Sequence, residues 1–359
     1  MCWVLAFLTA KEDGAVDFLC SFSHLESSIL AAVAFRLSQV IQAIGNSKFF
    51  RISIPLIRIV GNIATASNGR FVAALLTTNT IVIPSSKVVV GFTPLSHSIA
   101  TLVDLGCSDK ASFELSTIAA EASWAAGSLL CDTGQPLPHP STAAASVLIP
   151  SLTQAIISGY SKLELKREAV SAFRNAISVP PSVETLPVDD TDKTQSDEVR
   201  YGILSNIASS RTFLRALIDL LNSSDTDAIY SSLQILKALL QRFLTIHPIQ
   251  SWLDEFHCRD ALEGICDRAS LSPSCGQNFW TLDSSYQPGL EQCADIAADL
   301  VDDYFDASDS LVDIDDEEER IRTRSSAFDT VPNFPSITAR GRGLGMVQPA
   351  WMTQTHMNN

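Results

Sequence analysis

The sequence lacks the short motifs that mark the large enzyme classes. It contains no G-x-S-x-G nucleophile turn, no glycine-rich phosphate loop and no pair of histidines at metal-binding spacing on a predicted helix. Such motifs position a nucleophile, a phosphate or a metal ion, so their absence argues against hydrolase, nucleotide-binding and metalloenzyme functions. The sequence therefore indicates a protein that is not an enzyme and that uses no cofactor.

Long apolar runs and cysteine pairs are also missing. No stretch reaches the roughly 18 apolar residues that a membrane span requires, and no basic segment precedes the first apolar run, as it would in a secretory signal. The eight cysteines include no C-x-x-C pair, so we expect reduced thiols that pack as small apolar residues. A zinc site from His257, Cys258, Cys266 and Cys275 is the alternative, but its spacing fits no common finger, and we predict no metal.

Basic residues are scarce. The chain of 359 residues has 25 Lys and Arg against 40 Asp and Glu, and its formal net charge is −15. Twelve of those negative charges lie between residues 295 and 319, a stretch without a basic residue, so the rest of the chain carries about −3. Because binding to nucleic acid backbones needs an excess of positive charge, the composition argues against nucleic acid as a partner of the whole surface.

Apolar residues at helical spacing are abundant, and residues 54–68 show the pattern best. We predict a helix that begins at Pro55, since proline suits the first turn. One side of this helix carries an apolar stripe of Leu56, Ile59, Val60 and Ile63. The other side carries a polar ladder of Arg58, Asn62 and Thr65.

Similar polar ladders recur on two later predicted helices, at 118–135 and 163–178. Each places three polar or aromatic side chains at positions i, i+3 and i+7 of one helix face, namely Glu121, Trp124 and Ser128, then Glu168, Ser171 and Asn175. Further helices are predicted at 2–10, 29–46, 146–157, 211–221, 229–243 and 289–306. The helix at 229–243 has Asp225 as its expected N-cap.

Three stretches interrupt this pattern. Residues 71–112 give a poor signal that includes the strand-like IVIPSSKVVVGF, and we expect an irregular insertion there. Residues 179–198 are rich in Pro, Asp and Thr and predict a flexible insertion. Residues 307–359 are acidic and then contain Arg and Gly, which predicts a disordered tail. The domain organisation is therefore a helical region at 1–306 followed by that tail.

Repeated helical hairpins cannot bury their apolar faces alone, so they must stack, and stacking of this kind is typical of an α-solenoid. Several segments then match a known family. They are CWVLAFL, IPLIRIVGNIAT, EASWAAGSLL, IPSLTQAI with KREAVSAFRNAIS, RALIDLL with SLQILKALL, and AADLVDDYF. These segments resemble, in order, third helices of repeats five to ten of importin-α, the armadillo-repeat adaptor of nuclear import. The resemblance implies an all-α, right-handed armadillo-repeat α-solenoid of stacked helical hairpins.

The resemblance also implies a function, the binding of basic nuclear localisation signals in a concave groove of Trp, Asn and acidic residues. The positions that match this groove are Trp3, Arg58, Asn62, Thr65, Glu121, Trp124, Ser128, Glu168 and Asn175. Two positions depart from the family pattern: Ser128 stands where Asn is usual, and Ser171 stands where Trp is usual. Loss of that ring removes one wall of a lysine slot, so we expect weaker binding there than in the family.

The implied partners are basic signal peptides, with an export receptor at the last repeat and acidic segment. The implied location is cytoplasm and nucleus. No segment matches the basic importin-β-binding arm or the first four repeats, so importin-β is expected only if such a segment precedes this chain. The start in mid-hairpin favours an incomplete product over loss of the adaptor role. The alternatives are a scaffold of the same fold with an eroded groove, and an RNA-binding solenoid that uses the Arg/Gly tail at 339–359.

Overall fold

The computed structural model describes residues 2–11, 14–17, 23–43, 50–66, 71–83, 88–131, 139–178, 200–244, 248–270 and 289–306. Helices dominate these residues, and the predicted all-α solenoid is confirmed. The helices include, in chain order, α1 (Cys2–Lys11), α2 (Ser23–Gln42), α3 (Phe50–Thr65), α4 (Val72–Thr77), α5 (Leu95–Gly106), α6 (Phe113–Leu130), α7 (His139–Ile157), α8 (Leu163–Ile177), α9 (Arg211–Leu221), α10 (Thr226–Phe243), α11 (Ile249–Glu255), α12 (Cys258–Ser270) and α13 (Leu290–Val301). Residues 14–17 and 200–208 are helical as well.

The long helices form two layers. Layer A consists of α1, α3, α6, α8, α10 and α13, and successive helices of this layer contact one another. Layer B consists of α2, α5, α7, α9 and α12, which also contact one another in succession. Each layer B helix packs against the layer A helix that follows it in the chain. This arrangement, in which neighbouring pairs stack along one direction, is that of a solenoid.

The core lies between the two layers. The predicted leucine stripes of α9 and α10 face it, and all six side chains are at most 1% exposed, namely Leu214, Leu217, Leu221, Leu233, Leu236 and Leu240. Burial of each such side chain stabilises the fold by about 1.5–3 kcal/mol relative to exposure. Aromatic contacts extend the core from one pair to the next, as between Phe173 of α8 and Phe213 of α9, whose ring centroids are 5.3 Å apart.

Side-chain caps begin three of the helices. The Ser112 hydroxyl accepts a hydrogen bond from the Leu115 amide at the start of α6, and Ser210 caps α9 in the same way. The predicted N-cap of α10 is confirmed, because Asp225 accepts from the Ala228 amide at 3.1 Å. Each cap satisfies one amide that the first turn leaves without a partner.

The predicted start of α3 is wrong. The helix begins at Phe50 and holds Pro55 in its interior. Proline removes one intrahelical hydrogen bond and crowds the preceding turn. The residues before it nevertheless pack on the core, since Ile52 and Ile54 contact it and Pro55 is buried. This apolar contact offsets the lost hydrogen bond and extends the helix.

Residues 71–112 are not an irregular insertion throughout, which corrects the expectation from the sequence. The strand-like interpretation is confirmed, because strands β1 (Thr80–Ile83) and β2 (Val88–Gly91) pair antiparallel with Thr80 opposite Gly91. The following helix, α5, is a full member of layer B. Its buried face includes Ser96 and Ser98, and these polar residues hide the apolar periodicity in the sequence.

The remaining predictions concern the two flexible segments, membrane-spanning helices and the cysteines. The flexible insertion at 179–198 and the tail at 307–359 lie outside the described residues. Within the described part, no helix is both long and apolar enough to cross a membrane. Six cysteines are described, all as free thiols, and three of them, Cys107, Cys258 and Cys293, are buried.

Candidate functional site

The residues predicted to contact a peptide lie on four successive helices of layer A. Trp3 is on α1, Arg58, Asn62 and Thr65 are on α3, Glu121, Trp124 and Ser128 are on α6, and Glu168 and Asn175 are on α8. Because these helices contact one another in that order, positions as far apart as Arg58 and Glu121, 63 residues along the chain, become neighbours along one wall. The fold thus brings together the side chains that the sequence could only group by spacing.

Arg58 joins three of these helices. Its guanidinium donates to both carboxylate oxygens of Glu121, at 3.1 Å from Nε and 2.6 Å from Nη2. The same guanidinium carbon lies 5.9 Å from the ring centroid of Trp3. The hydrogen bond to Glu121 raises the pKa of Arg58 in spite of burial, so the group stays charged. The predicted carboxylate of α6 is therefore already paired with a cation of the chain itself.

Trp124 lies against α3 at the one point where that helix carries no side chain. A Cβ atom built on Gly61 would stand 2.2 Å from Trp124 Cζ3, so only glycine lets the indole approach this closely. Trp124 is half-buried as a result. Its ring packs against α3, and the residue remains partly exposed to solvent.

Three predicted polar residues use their donors inside the fold. The Asn62 amide nitrogen donates to the Ala6 carbonyl and to the Thr9 hydroxyl, both at 3.1 Å, and so ties α3 to α1. Thr65 donates to carbonyls of its own helix. Ser128 donates to the Trp124 carbonyl of its own helix and is buried. Of these three, Asn62 retains a carbonyl oxygen that no hydrogen bond of the described residues occupies.

Glu168 is also paired with an arginine. Arg167 donates from Nε and Nη2 to Glu168 Oε1, and from Nη1 to Asp225 Oδ2 at 3.2 Å. Burial acts to lower the pKa of Arg167, but the two carboxylates outweigh it and hold that pKa above its usual value. The arginine thereby connects α8 to the N-cap of α10. Glu168 itself is 7% exposed, which leaves little of it for a ligand.

The structure adds one residue that the sequence analysis did not select, Arg174 of α8. Its guanidinium lies 5.5 Å from the ring centroid of Tyr230 and donates to Asn175 Oδ1 at 3.1 Å. It also donates to the hydroxyls of Ser231 and Ser171, at 3.3 and 3.4 Å. The sequence signal was present, because Arg174 follows Ser171 of the predicted polar ladder by about one helical turn.

This wall combines half-buried aromatic rings, an amide and paired charges, which are groups suited to non-covalent recognition. Asn175 is half-buried beside Gly127, where α6 and α8 approach so closely that an added Cβ would stand 2.9 Å from the Ala172 backbone. Its amide can donate to and accept from a peptide backbone. Among the described residues, no three His, Cys, Asp or Glu side chains are grouped as metal ligands.

Comparison with known proteins finds distant similarity to solved structures alone. No protein-family model matches the chain, and no curated protein matches it. Among solved structures, the chain is similar to an engineered protein with a TM-score of 0.46 at 12% identity, covering 84% of this chain and 88% of that one. It is also similar to a designed armadillo-repeat protein, with a TM-score of 0.45, 14% identity, and 83% and 90% coverage.

A third similar structure comes from computationally designed armadillo-repeat proteins for modular peptide recognition. Its TM-score is 0.43 and its identity is 14%, with coverage of 83% of this chain and 90% of that chain. The assignment of the fold rests on the two helical layers themselves. The chain is an all-α solenoid whose layer A gathers the candidate residues on one wall.

Proposed function

We propose that the protein binds an extended peptide segment of a partner protein along layer A, and that it acts as an adaptor for basic nuclear localisation signals. The observation that carries the proposal is the position of Arg58 between the Trp3 ring and the Glu121 carboxylate. An aromatic ring and a carboxylate together form a binding site for a cationic side chain. A ligand lysine or arginine can use the same two groups in competition with Arg58.

Each single contact with such a peptide contributes only a modest binding free energy. A cation over an indole contributes about 0.5–2 kcal/mol, and the partly exposed Trp124 offers one such surface. The Asn175 amide adds hydrogen bonds to the ligand backbone, each worth about 0.5–1.5 kcal/mol net. Several of these contacts along one extended peptide are needed for micromolar affinity, which corresponds to about 8 kcal/mol.

A second candidate function is a scaffold of the same fold that binds an extended partner of different charge. The ion pairs favour it, because both predicted carboxylates, Glu121 and Glu168, are already neutralised by Arg58 and Arg167. A basic ligand must displace an internal arginine to reach either carboxylate. This candidate predicts little affinity for lysine-rich peptides.

The adaptor proposal extends to two further expectations. An export receptor would bind near α13 and the acidic residues that follow it. The protein would then occur in both cytoplasm and nucleus, since an adaptor travels with its cargo.

Titration of a fluorescent lysine-rich peptide separates the two candidates. The adaptor proposal expects saturable, salt-sensitive binding that weakens in Trp124→Ala. Trp252→Ala is the matched control, because Trp252 is also half-buried but lies on α11, outside layer A. Equal loss in both variants, or no binding to the wild type, would sink the adaptor proposal. Circular dichroism checks that each variant is folded.

A further inference from the structure

Charge pairing along layer A is uneven. Three arginines of this layer are half-buried, Arg58, Arg167 and Arg174. Two of them reach carboxylates: Arg58 pairs with Glu121, and Arg167 pairs with Glu168 and Asp225. Among the described residues, Arg174 has no carboxylate within ion-pair distance, and each of its hydrogen bonds goes to a neutral acceptor.

Arg174 is nevertheless held in a defined place. Tyr230 of α10 supports the flat guanidinium from one side, and two hydroxyls and one amide oxygen accept from Nη1 and Nη2. A guanidinium has five N–H groups, and these bonds leave Nε and part of Nη1 without an acceptor in the described part of the chain. Since Nε and Nη1 do not point to the same side of the guanidinium, a ligand carboxylate can accept one charge-assisted bond from either donor, but not a parallel pair.

The partial burial of Arg174 strengthens its attraction to a ligand anion. Burial lowers the pKa of Arg174, an effect that Tyr230, Asp227 and Cys131 only partly offset. A cation that has lost part of its hydration, and that Asp227 compensates only in part, is costly to the fold. A ligand anion supplies the missing charge in a region where water screens it less than at an open surface.

We propose that Arg174 forms an anion subsite of layer A, which takes an Asp or Glu side chain of the partner peptide. The subsite rests on the proposed function, because it requires a peptide along this layer. It lies on α8, and the positive charge of Arg174 would repel a ligand lysine there. The preferred ligand therefore carries a basic residue beside α6 and an acidic residue beside α8.

The spacing of these two ligand residues follows from the helix packing. Packed helices lie about 8–10 Å apart, and an extended chain advances about 3.3–3.6 Å per residue. The acidic residue therefore stands about two to three residues from the basic one, and three is the distance tested. Because the peptide could run in either direction along the layer, the acidic residue is placed either before or after the basic one in the test peptides.

Fluorescence anisotropy with short peptides tests this subsite. The probes carry one lysine cluster and, three residues before or after it, either Asp or Asn, and a further probe carries Asp without lysine. We expect Asp to bind about tenfold more tightly than Asn at one of the two positions. In Arg174→Gln this preference should fall below twofold.

Arg242→Gln is the matched control, since it removes the same charge from an exposed arginine of α10. Arg242 lies eleven residues after Ser231 on that helix, or about 16 Å along its axis. The control should keep the full preference for Asp. If it loses the preference as well, the effect is one of net charge and the subsite is refuted.

The outcomes separate the subsite from the proposed function. Equal binding of Asp and Asn peptides at both positions refutes the subsite and leaves the basic-signal proposal standing. If the Asp peptide without lysine binds, and Arg174→Gln abolishes this binding, the subsite is supported and the proposal of a basic signal is refuted. Absence of binding by every peptide overturns both.

Discussion

The contact between Gly61 and Trp124 gives the sharpest prediction about the wall of layer A. In Gly61→Ala the new methyl group would stand 2.2 Å from Cζ3 and 2.5 Å from Cη2 of the indole. Carbon atoms in contact are normally about 3.5–4.0 Å apart, so the ring must move by more than about 1 Å. Overpacking of this kind costs about 1–3 kcal/mol.

Helix propensity acts in the opposite direction, and a second glycine isolates it. Alanine is favoured over glycine inside a helix by about 1 kcal/mol. A methyl group added to Gly264 of α12 would meet no neighbouring atom within 4 Å, so Gly264→Ala should show that gain alone. We therefore expect Gly264→Ala to raise the free energy of unfolding. The free energy of unfolding of Gly61→Ala should lie about 1–3 kcal/mol below that of this control.

Denaturant unfolding of both variants measures this difference. A third variant, Trp124→Leu, and its combination with Gly61→Ala complete a double-mutant cycle. The combined variant should lose clearly less free energy of unfolding than the two single variants lose together. The reason is that leucine, being smaller than tryptophan, leaves room for the new methyl group. If Gly61→Ala stabilises the protein as much as Gly264→Ala does, Trp124 does not pack against α3 and the described wall is wrong.

Three further changes test other contacts. Asn62→Ala removes the hydrogen bonds to Ala6 and Thr9, so the free energy of unfolding should fall by about 1–2 kcal/mol, and thermal melts check this. Asp225→Ala removes the cap of α10 and should cost about 0.5–2 kcal/mol in a denaturant titration, most of which Asp225→Ser restores. Burial raises the pKa of Cys258 from 9.0 to about 12, so the unfolded thiol ionises first as pH rises. Stability should then fall between pH 9 and 12 by up to about 1.4 kcal/mol per pH unit, and Cys258→Ala should reduce this slope in alkaline unfolding curves.

Much of the fold could be predicted because local patterns decide it. The stripes Leu214/Leu217/Leu221 and Leu233/Leu236/Leu240 have helical spacing, and the structure buries all of them. A helix such as α5 could not be predicted in this way, because Ser96 and Ser98 occupy its buried face. Burial of small hydroxyl groups leaves no trace in an apolar pattern.

The candidate site was predictable as a set of positions but not as a set of contacts. Arg58 and Glu121 were both selected, yet their pairing across 63 residues depends on how α3 and α6 pack. Arg174 was not selected, because its significance lies in the absence of a carboxylate within ion-pair distance among the described residues. Spacing along one helix cannot show which charges on neighbouring helices meet.

Photo-cross-linking of a lysine-rich peptide tests most directly whether layer A is a single peptide-binding wall. A peptide with a benzophenone group is bound, irradiated and mapped by mass spectrometry. The account predicts that cross-links concentrate on α3, α6 and α8 and disappear with excess unlabelled peptide. Cross-links on layer B, or cross-links that excess peptide does not remove, would contradict it.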